Sequence, residues 1–261
     1  MSDIVTVQEF DHYALCTLNL PQKRNPISSE MRTALIAALE SLSAKPKIRC
    51  VAITGAGAAF CSGLDLESLA AQIAKTPDEH RADSQSIADF FSYIVRYPKP
   101  TIAVVNGPAV AGGCGLALLC DITLMNAETH LSFSEVKIGF VPALVGVYLE
   151  RMVGPKVSRE LLFSARKLPA MEALEKGLVT AIVPPAELAD RTAKMAHELA
   201  QNSPQAIART KALLTRAWSA SLAEAIAMAV DVNAEARSSS DCREGVNAFL
   251  QKRVPFWDQT V

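Results

Sequence analysis

Residues 100–120 contain no Asp, Glu, Lys or Arg. A run this long passes a first filter for a membrane span, which takes about 20 apolar residues. Its interior argues otherwise. Asn106, Pro108 and the three glycines Gly112, Gly113 and Gly115 interrupt it with turn and helix-start chemistry. The reading that satisfies all of these residues is a continuous apolar strand over Thr101–Val105, a glycine-rich turn, and a buried helix reaching about Leu119.

The segments on either side repeat this alternation. Ile4, Val5 and Val7, then Tyr13, Leu15, Thr17 and Leu18, alternate at period two around Asp11-His12 and predict a β-hairpin. Residues 21–26 form a loop. Ser28 caps a helix whose apolar face is Met31, Leu35, Ala38, Leu39 and Leu42. Residues 49–54 predict a strand entering the turn Gly55-Ala56-Gly57. A loop with Gly63 and a polar stretch over 68–85 follow, and 86–96 reads as helix. Strands are expected at 122–125 and 181–183, a short extended piece at 131–136, and helices near 144–153, 156–165 and 170–177. Beyond about residue 186 the pattern is helical throughout, with Ser203-Pro204 as a clear helix start. Strand and helix alternate, then helices alone follow. That order predicts an α/β fold with parallel pairing and a helical tail.

Composition narrows the class of partner. Twenty-six Lys and Arg against 27 Asp and Glu give a net charge of −1. A chain so balanced lacks the basic excess that holds a protein to nucleic acid or an anionic membrane. Apolar residues make up 50%, and 41 of them are alanine, suited to close helix packing. Cys16, Cys50, Cys61, Cys114, Cys120 and Cys242 form no CxxC pair. They predict reduced thiols in a cytoplasmic protein. Met1-Ser2-Asp3 opens no signal-peptide pattern. The four histidines show no ligand spacing, so no metal is expected.

Three segments carry chemistry. Ala59-Phe60-Cys61-Ser62-Gly63-Leu64-Asp65-Leu66 follows a strand, and Gly63 permits an unusual backbone turn that exposes an amide. Asn106-Gly107-Pro108-Ala109-Val110-Ala111-Gly112-Gly113-Cys114-Gly115 is strand, glycine turn and helix start. Free amides there suit an anion or oxyanion. It is neither GxxxxGK[ST] nor GxGxxG. Ser134-Glu135-Val136-Lys137-Ile138-Gly139 sets a glutamate among apolar neighbours, where burial raises a carboxyl pKa toward acid–base work.

In order and spacing these segments resemble the crotonase (enoyl-CoA hydratase/isomerase) superfamily. Leu20-Pro21-Gln22-Lys23-Arg24-Asn25-Pro26, Ala173-Leu174-Glu175-Lys176-Gly177-Leu178-Val179 and Glu244–Arg253 extend the likeness over nearly the whole chain. The look is nearest to one-glutamate hydratases of the methylglutaconyl-CoA or branched enoyl-CoA type.

The resemblance implies a crotonase-like β-β-α spiral core over residues 1–195 and a helical trimerisation region over 196–261. It implies an acyl-CoA thioester substrate, with coenzyme A entering as part of the substrate and no separate cofactor. It also implies a homotrimer or dimer of trimers. The backbone amides of Leu64 and Gly112 would form the oxyanion hole, and Glu135 would be the acid–base group. Lys23, Arg24, Gly63, Asp65, Leu66 and Lys252 join Leu64 and Gly112 as candidate coenzyme A contacts. Two departures stand out. Gly115 occupies the place of the first glutamate of two-glutamate hydratases, and Glu67 the place of a phosphate-binding lysine of some relatives. One carboxylate leaves four readings: a hydratase, a Δ3,Δ2-enoyl-CoA isomerase, other thioester chemistry, and an acyl-CoA-binding relative without catalysis. The acyl pocket is expected from 68–95 and 140–150, with Tyr148 and Glu150 as candidate lining. His130 is expected to be structural.

Overall fold

The computed structural model describes residues 3–65, 69–70 and 73–257. Its centre is a six-stranded sheet in the order β1-β2-β3-β4-β6-β9. The strands are β1 (Val5–Glu9), β2 (Tyr13–Leu18), β3 (Cys50–Gly55), β4 (Thr101–Val105), β6 (Ile122–Asn126) and β9 (Ala181–Val183). β1 and β2 make the expected antiparallel hairpin, and every later pairing in this sheet is parallel. A second, three-stranded sheet joins β5 (Ala109–Val110), β7 (His130–Ser132) and β8 (Lys167–Pro169). β5 and β8 are too short to leave a period-two signal.

The apolar character of β3 and β4 follows from burial on both faces. Val51, Ile53, Ala103 and Val105 point into the larger core, where α1 (Ser29–Ser43), α2 (Pro77–Arg96) and α3 (Gly112–Leu119) pack. Their neighbours Cys50, Ala52, Ile102 and Val104 enter a smaller core closed by Leu188 and Ala196 of α6 (Leu188–Ala200). Side chains alternate across a strand, so each strand feeds both cores.

Ser28 caps α1 as expected, accepting from the Met31 amide at 3.2 Å. The polar residues 77–85, which carry no apolar period, are helical as well. Thr76 and Glu79 form a reciprocal capping box and Pro77 opens the first turn, so the polar half of α2 has its own start signal. Only the second half, with Ile87, Phe90, Phe91 and Ile94, is buried. Residues 133–136 are not extended: Glu135–Ile138 is a 3₁₀ turn ended by Gly139 in the left-handed region. The two helices expected near 144–153 and 156–165 are both present and share the label α4 (Ala143–Ser164); Gly154, with non-helical φ 75° and ψ 172°, and Pro155 break them apart. α5 (Ala170–Glu175) precedes β9. The tail is α7 (Pro204–Ala217), α8 (Leu222–Arg237) and α9 (Ser240–Leu250). α7 and α8 bury none of their residues, and Leu214, Leu222, Ile226, Val230, Phe249 and Leu250 are exposed. Among the described residues no helix is long and apolar enough to cross a membrane.

Candidate active site

The two glycine-bearing loops lie side by side. Cys61 and Ala109 form a parallel bridge, and the Val110 amide donates to the Cys61 carbonyl at 2.9 Å. At Gly63 the backbone has φ +84°, and a Cβ there would stand 2.7 Å from the Val110 oxygen. Only glycine fits such a crossing. At Gly113 a Cβ would stand 2.4 Å from the Cys61 oxygen. The small residues thus let two backbones touch.

Between them the second loop turns sharply. Ala111 holds φ 50° and ψ −122° as the cap of α3, a conformation that costs a residue with a side chain about 1–3 kcal/mol. Beta pairing anchors its flanks: the Ala111 amide donates to Ser132 at 2.7 Å. Gly112 then opens α3, so its amide belongs to the first turn and has no partner within the helix. The Leu64 nitrogen lies 4.0 Å from the point where a Gly112 Cβ would stand. Leu64 and Gly112, 48 positions apart in sequence, therefore lie side by side.

Glu135 faces the same cavity. Its residue is 7% exposed, and its Oε2 is buried without a hydrogen-bond partner. Burial raises its pKa above the usual carboxylate value, opposed only weakly by a bond to its own backbone. The 3₁₀ turn that carries it closes with the Phe140 and Gly139 amides on the Glu135 carbonyl. The cavity, about 270 Å³, is lined by Leu64, Gly112 and Glu135 together. Ile87, Phe91, Ile138, Phe140, Leu144 and Val145 supply apolar wall. Both segments expected to build the acyl pocket contribute. Tyr148 and Glu150 do not: Tyr148 turns away to pack on Trp218 at 5.8 Å, and Glu150 is exposed.

At Gly115 a Cβ would stand 2.9 Å from both Phe91 Cζ and Val145 Cγ2. The space that a second glutamate needs is already filled by two apolar side chains. Cys61 and Cys114 are fully buried, and burial pushes the Cys61 thiol up to about 12 and raises Cys114 likewise, which removes both as nucleophiles.

The other candidates divide. Lys23 and Arg24 are exposed beside the first loop, and their carbonyls accept from Ser62 Oγ at 3.3 Å and from the Ser62 amide at 2.9 Å. Ser62 lines the cavity, so the backbone of Lys23 and Arg24 runs next to it, although neither side chain is part of the wall. Asp65 is half-buried next to Leu64. Leu66 and Glu67 lie outside the described residues. Lys252 is exposed on the turn after α9 and is not part of the cavity wall. His130 sits on β7, also away from that wall.

Asn25 is a residue that sequence reasoning quoted but gave no role. Completely buried, its Nδ2 donates to the Ala56 and Ala59 carbonyls at 2.9 Å each, while its Oδ1 accepts from the Leu20 amide at 2.9 Å. It staples the loop before α1 to the loop carrying Leu64. Its sign in the sequence is an asparagine beside Pro26, a pairing that favours turns; the structure gives it φ 56°.

Leu64, Gly112 and the unpartnered carboxyl of Glu135 share one apolar cavity, and backbone amides beside a buried carboxyl have the chemistry to hold an oxyanion and move a proton next to it. Known proteins of the same build carry that description further. The chain belongs to the enoyl-CoA hydratase/isomerase family, whose model matches residues 11–260. A Thermus thermophilus protein named "Putative enoyl-CoA hydratase" is 43% identical over 247 residues, covering 95% of this chain and 98% of that one. The crystal structure of an enoyl-CoA hydratase from Mycobacterium smegmatis superposes with a TM-score of 0.91 at 30% identity, over 97% of this chain and 98% of that chain. Human enoyl-CoA hydratase domain-containing protein 3 does so with a TM-score of 0.91 at 31% identity, over 97% and 99%. Fold and membership thus agree with the crotonase likeness of the sequence.

Proposed function

We propose that this protein is an enoyl-CoA hydratase working with one carboxylate. The observation that carries this is the unpartnered Oε2 of Glu135 in the cavity that Leu64 and Gly112 also line. The thioester oxygen of the substrate accepts from both amides. Ionised Glu135 takes a proton from water as the water oxygen bonds to carbon 3 of the acyl chain. The electron pair of the double bond moves onto the thioester oxygen as an enolate. Glu135 then returns the proton to carbon 2, so one water is added in total. Each amide donor is worth roughly 3–4 kcal/mol in comparable oxyanion holes. Coenzyme A stays outside the apolar wall, with Lys23 and Arg24, exposed on the loop bonded to Ser62, as candidate cations for it. Lys252 serves a phosphate only when a neighbouring subunit supplies it.

The test is Glu135→Gln with an α,β-unsaturated acyl-CoA. Turnover is expected to fall about 10³-fold, within the range for loss of a general acid–base group, while coenzyme A affinity holds. Unchanged turnover rejects the mechanism. One observation favours a second reading, the Δ3,Δ2-isomerase: an apolar wall with a single carboxylate also suits a proton shuttle between carbons 2 and 4. Heavy-oxygen water separates the two, since label at carbon 3 appears only in hydration.

The exposed apolar residues of α7–α9 support residues 196–261 as an assembly region and a trimer or dimer of trimers as the working form. Six free cysteines, five of them buried, support a reducing compartment such as the cytoplasm.

A further inference from the structure

We infer that Arg32 is a positioning residue for the Leu64 amide, acting through the backbone of Ile27. The inference rests on the oxyanion role proposed above. A peptide unit is planar, and its C=O and N–H point in opposite directions. Whatever holds the Gly63 carbonyl therefore aims the Leu64 amide. The holder is the Ile27 amide, which donates to the Gly63 oxygen at 2.7 Å. Ile27 comes from a different segment, the loop before α1, and its side chain reaches across to Gly112, whose Cβ would stand 3.6 Å from Ile27 Cδ1.

Ile27 is in turn held from its other side. Arg32 Nη1 donates to the Ile27 carbonyl at 3.4 Å. Nη2 of the same guanidinium reaches α2, to Asp83 Oδ1 at 3.4 Å and Ser86 Oγ at 3.3 Å. Arg32 is 6% exposed. Burying a cation against one half-exposed carboxylate is a poor way to gain stability, because desolvation offsets the attraction. A fork of donors that reaches a carbonyl and a carboxylate at once is what an arginine supplies and an apolar side chain does not. Here the fork joins the residue that aims the Leu64 amide to the helix that brings Ile87 and Phe91 to the cavity.

The Gly112 amide needs no such clamp. The carbonyl of its peptide unit, on Ala111, accepts from the Cys114 amide at 2.9 Å within its own helix turn. Loss of Arg32 therefore loosens one donor of two, and the effect is partial.

The experiment uses the full chain and acetoacetyl-CoA, a thioester that ionises to an enolate with its own ultraviolet absorbance. Enolisation of the bound ligand is followed against pH, beside the affinity for saturated butyryl-CoA. Arg32→Met is expected to weaken enolate stabilisation about tenfold, less than removal of a whole donor, with butyryl-CoA affinity within about twofold. Arg32→Lys, which reaches one acceptor at a time, falls between the two. Wild-type enolisation in Arg32→Met, or an equal loss for both ligands, overturns the inference. If Arg32→Met does not fold, Asp83→Asn removes only the outer partner. A smaller loss of enolisation in it supports the inference, and none overturns it. A wild-type protein that fails to enolise bound acetoacetyl-CoA rejects the oxyanion role itself, whereas variants that match an active wild type reject Arg32 alone.

Discussion

Leu64 and Gly112 both line the cavity, and their peptide units are held by opposite means. Gly112 opens α3, and its peptide unit is fixed by the helix that follows it: the hydrogen bond from Cys114 to Ala111 closes within three residues. Leu64 sits in a loop with no regular structure of its own. Its peptide unit is fixed from outside by Ile27, with Asn25 and Arg32 holding that segment in place. One donor is a product of local chain geometry, the other of tertiary assembly. Local geometry resists substitution anywhere except in the turn itself, while an assembled donor can be disturbed from several segments at once.

The largest effect is expected where both halves meet. Gly63→Ala forces a side chain onto φ +84° and into the Val110 oxygen and the Gly112 nitrogen, the latter 3.0 Å away. It should lower kcat/KM by more than 10³-fold, as expected when both donors are misplaced. Stability should fall by about 2–4 kcal/mol in a denaturant titration. A folded, active Gly63→Ala would show that the two loops need not touch.

Gly112→Ala should separate activity from stability. Its Cβ meets only ordinary contacts at 3.6 Å or beyond, one of them the Leu64 nitrogen at 4.0 Å. The methyl group stands in the hole without straining the fold. Turnover should fall about 100-fold, the lower end for loss of one oxyanion donor, with stability changed by less than about 0.5 kcal/mol. Loss of folding in this variant would break the idea that the Gly112 half is self-supporting.

The smallest effect is the shift in pH dependence and melting set by Glu135, which lines the same cavity. Burial raises its pKa, and the base must be ionised to take a proton from water. The acid limb of kcat/KM should therefore lie above the ordinary glutamate value of about 4.3. Stability carries the matching sign. A raised carboxyl pKa contributes stability that is complete below the unfolded value and is lost as pH rises through the folded one. Glu135→Gln should therefore melt higher than the wild type at pH 8, by roughly 2–4 °C, and no higher at pH 4. Equal melting temperatures at both pH values would mean that the carboxyl has a partner after all.

The legible parts of the site follow the same division. The Gly112 half reads directly from strand, glycine turn and helix start, because helix N-termini expose amides wherever they occur. Glu135 stands out as a glutamate among apolar residues, although the 3₁₀ turn that aims it does not read as such, since four residues carry no period. α2 begins ten residues before Ile87, the first residue of its apolar face, so hydrophobic spacing found only its buried half. Tyr148 shows the converse failure. Its place on α4 is correct, but which side of a helix faces a cavity depends on what packs against the other side, and here Trp218 from the tail does.

From the sequence alone came the alternation of strand and helix, the buried apolar strand Thr101–Val105 and the glycine-rich helix start after it, because each depends on residues close together in the chain; the particular amide of Gly112 and the lone carboxylate of Glu135 came from the family likeness. Gly63 was marked as special without its reason. Tertiary structure alone decided that its loop crosses Val110, that Ile27 aims the Leu64 amide, and that Phe91 and Val145 fill the space beside Gly115. These are contacts between segments tens of residues apart. No local propensity encodes them, and they exist only once the sheet has brought its loops to one edge.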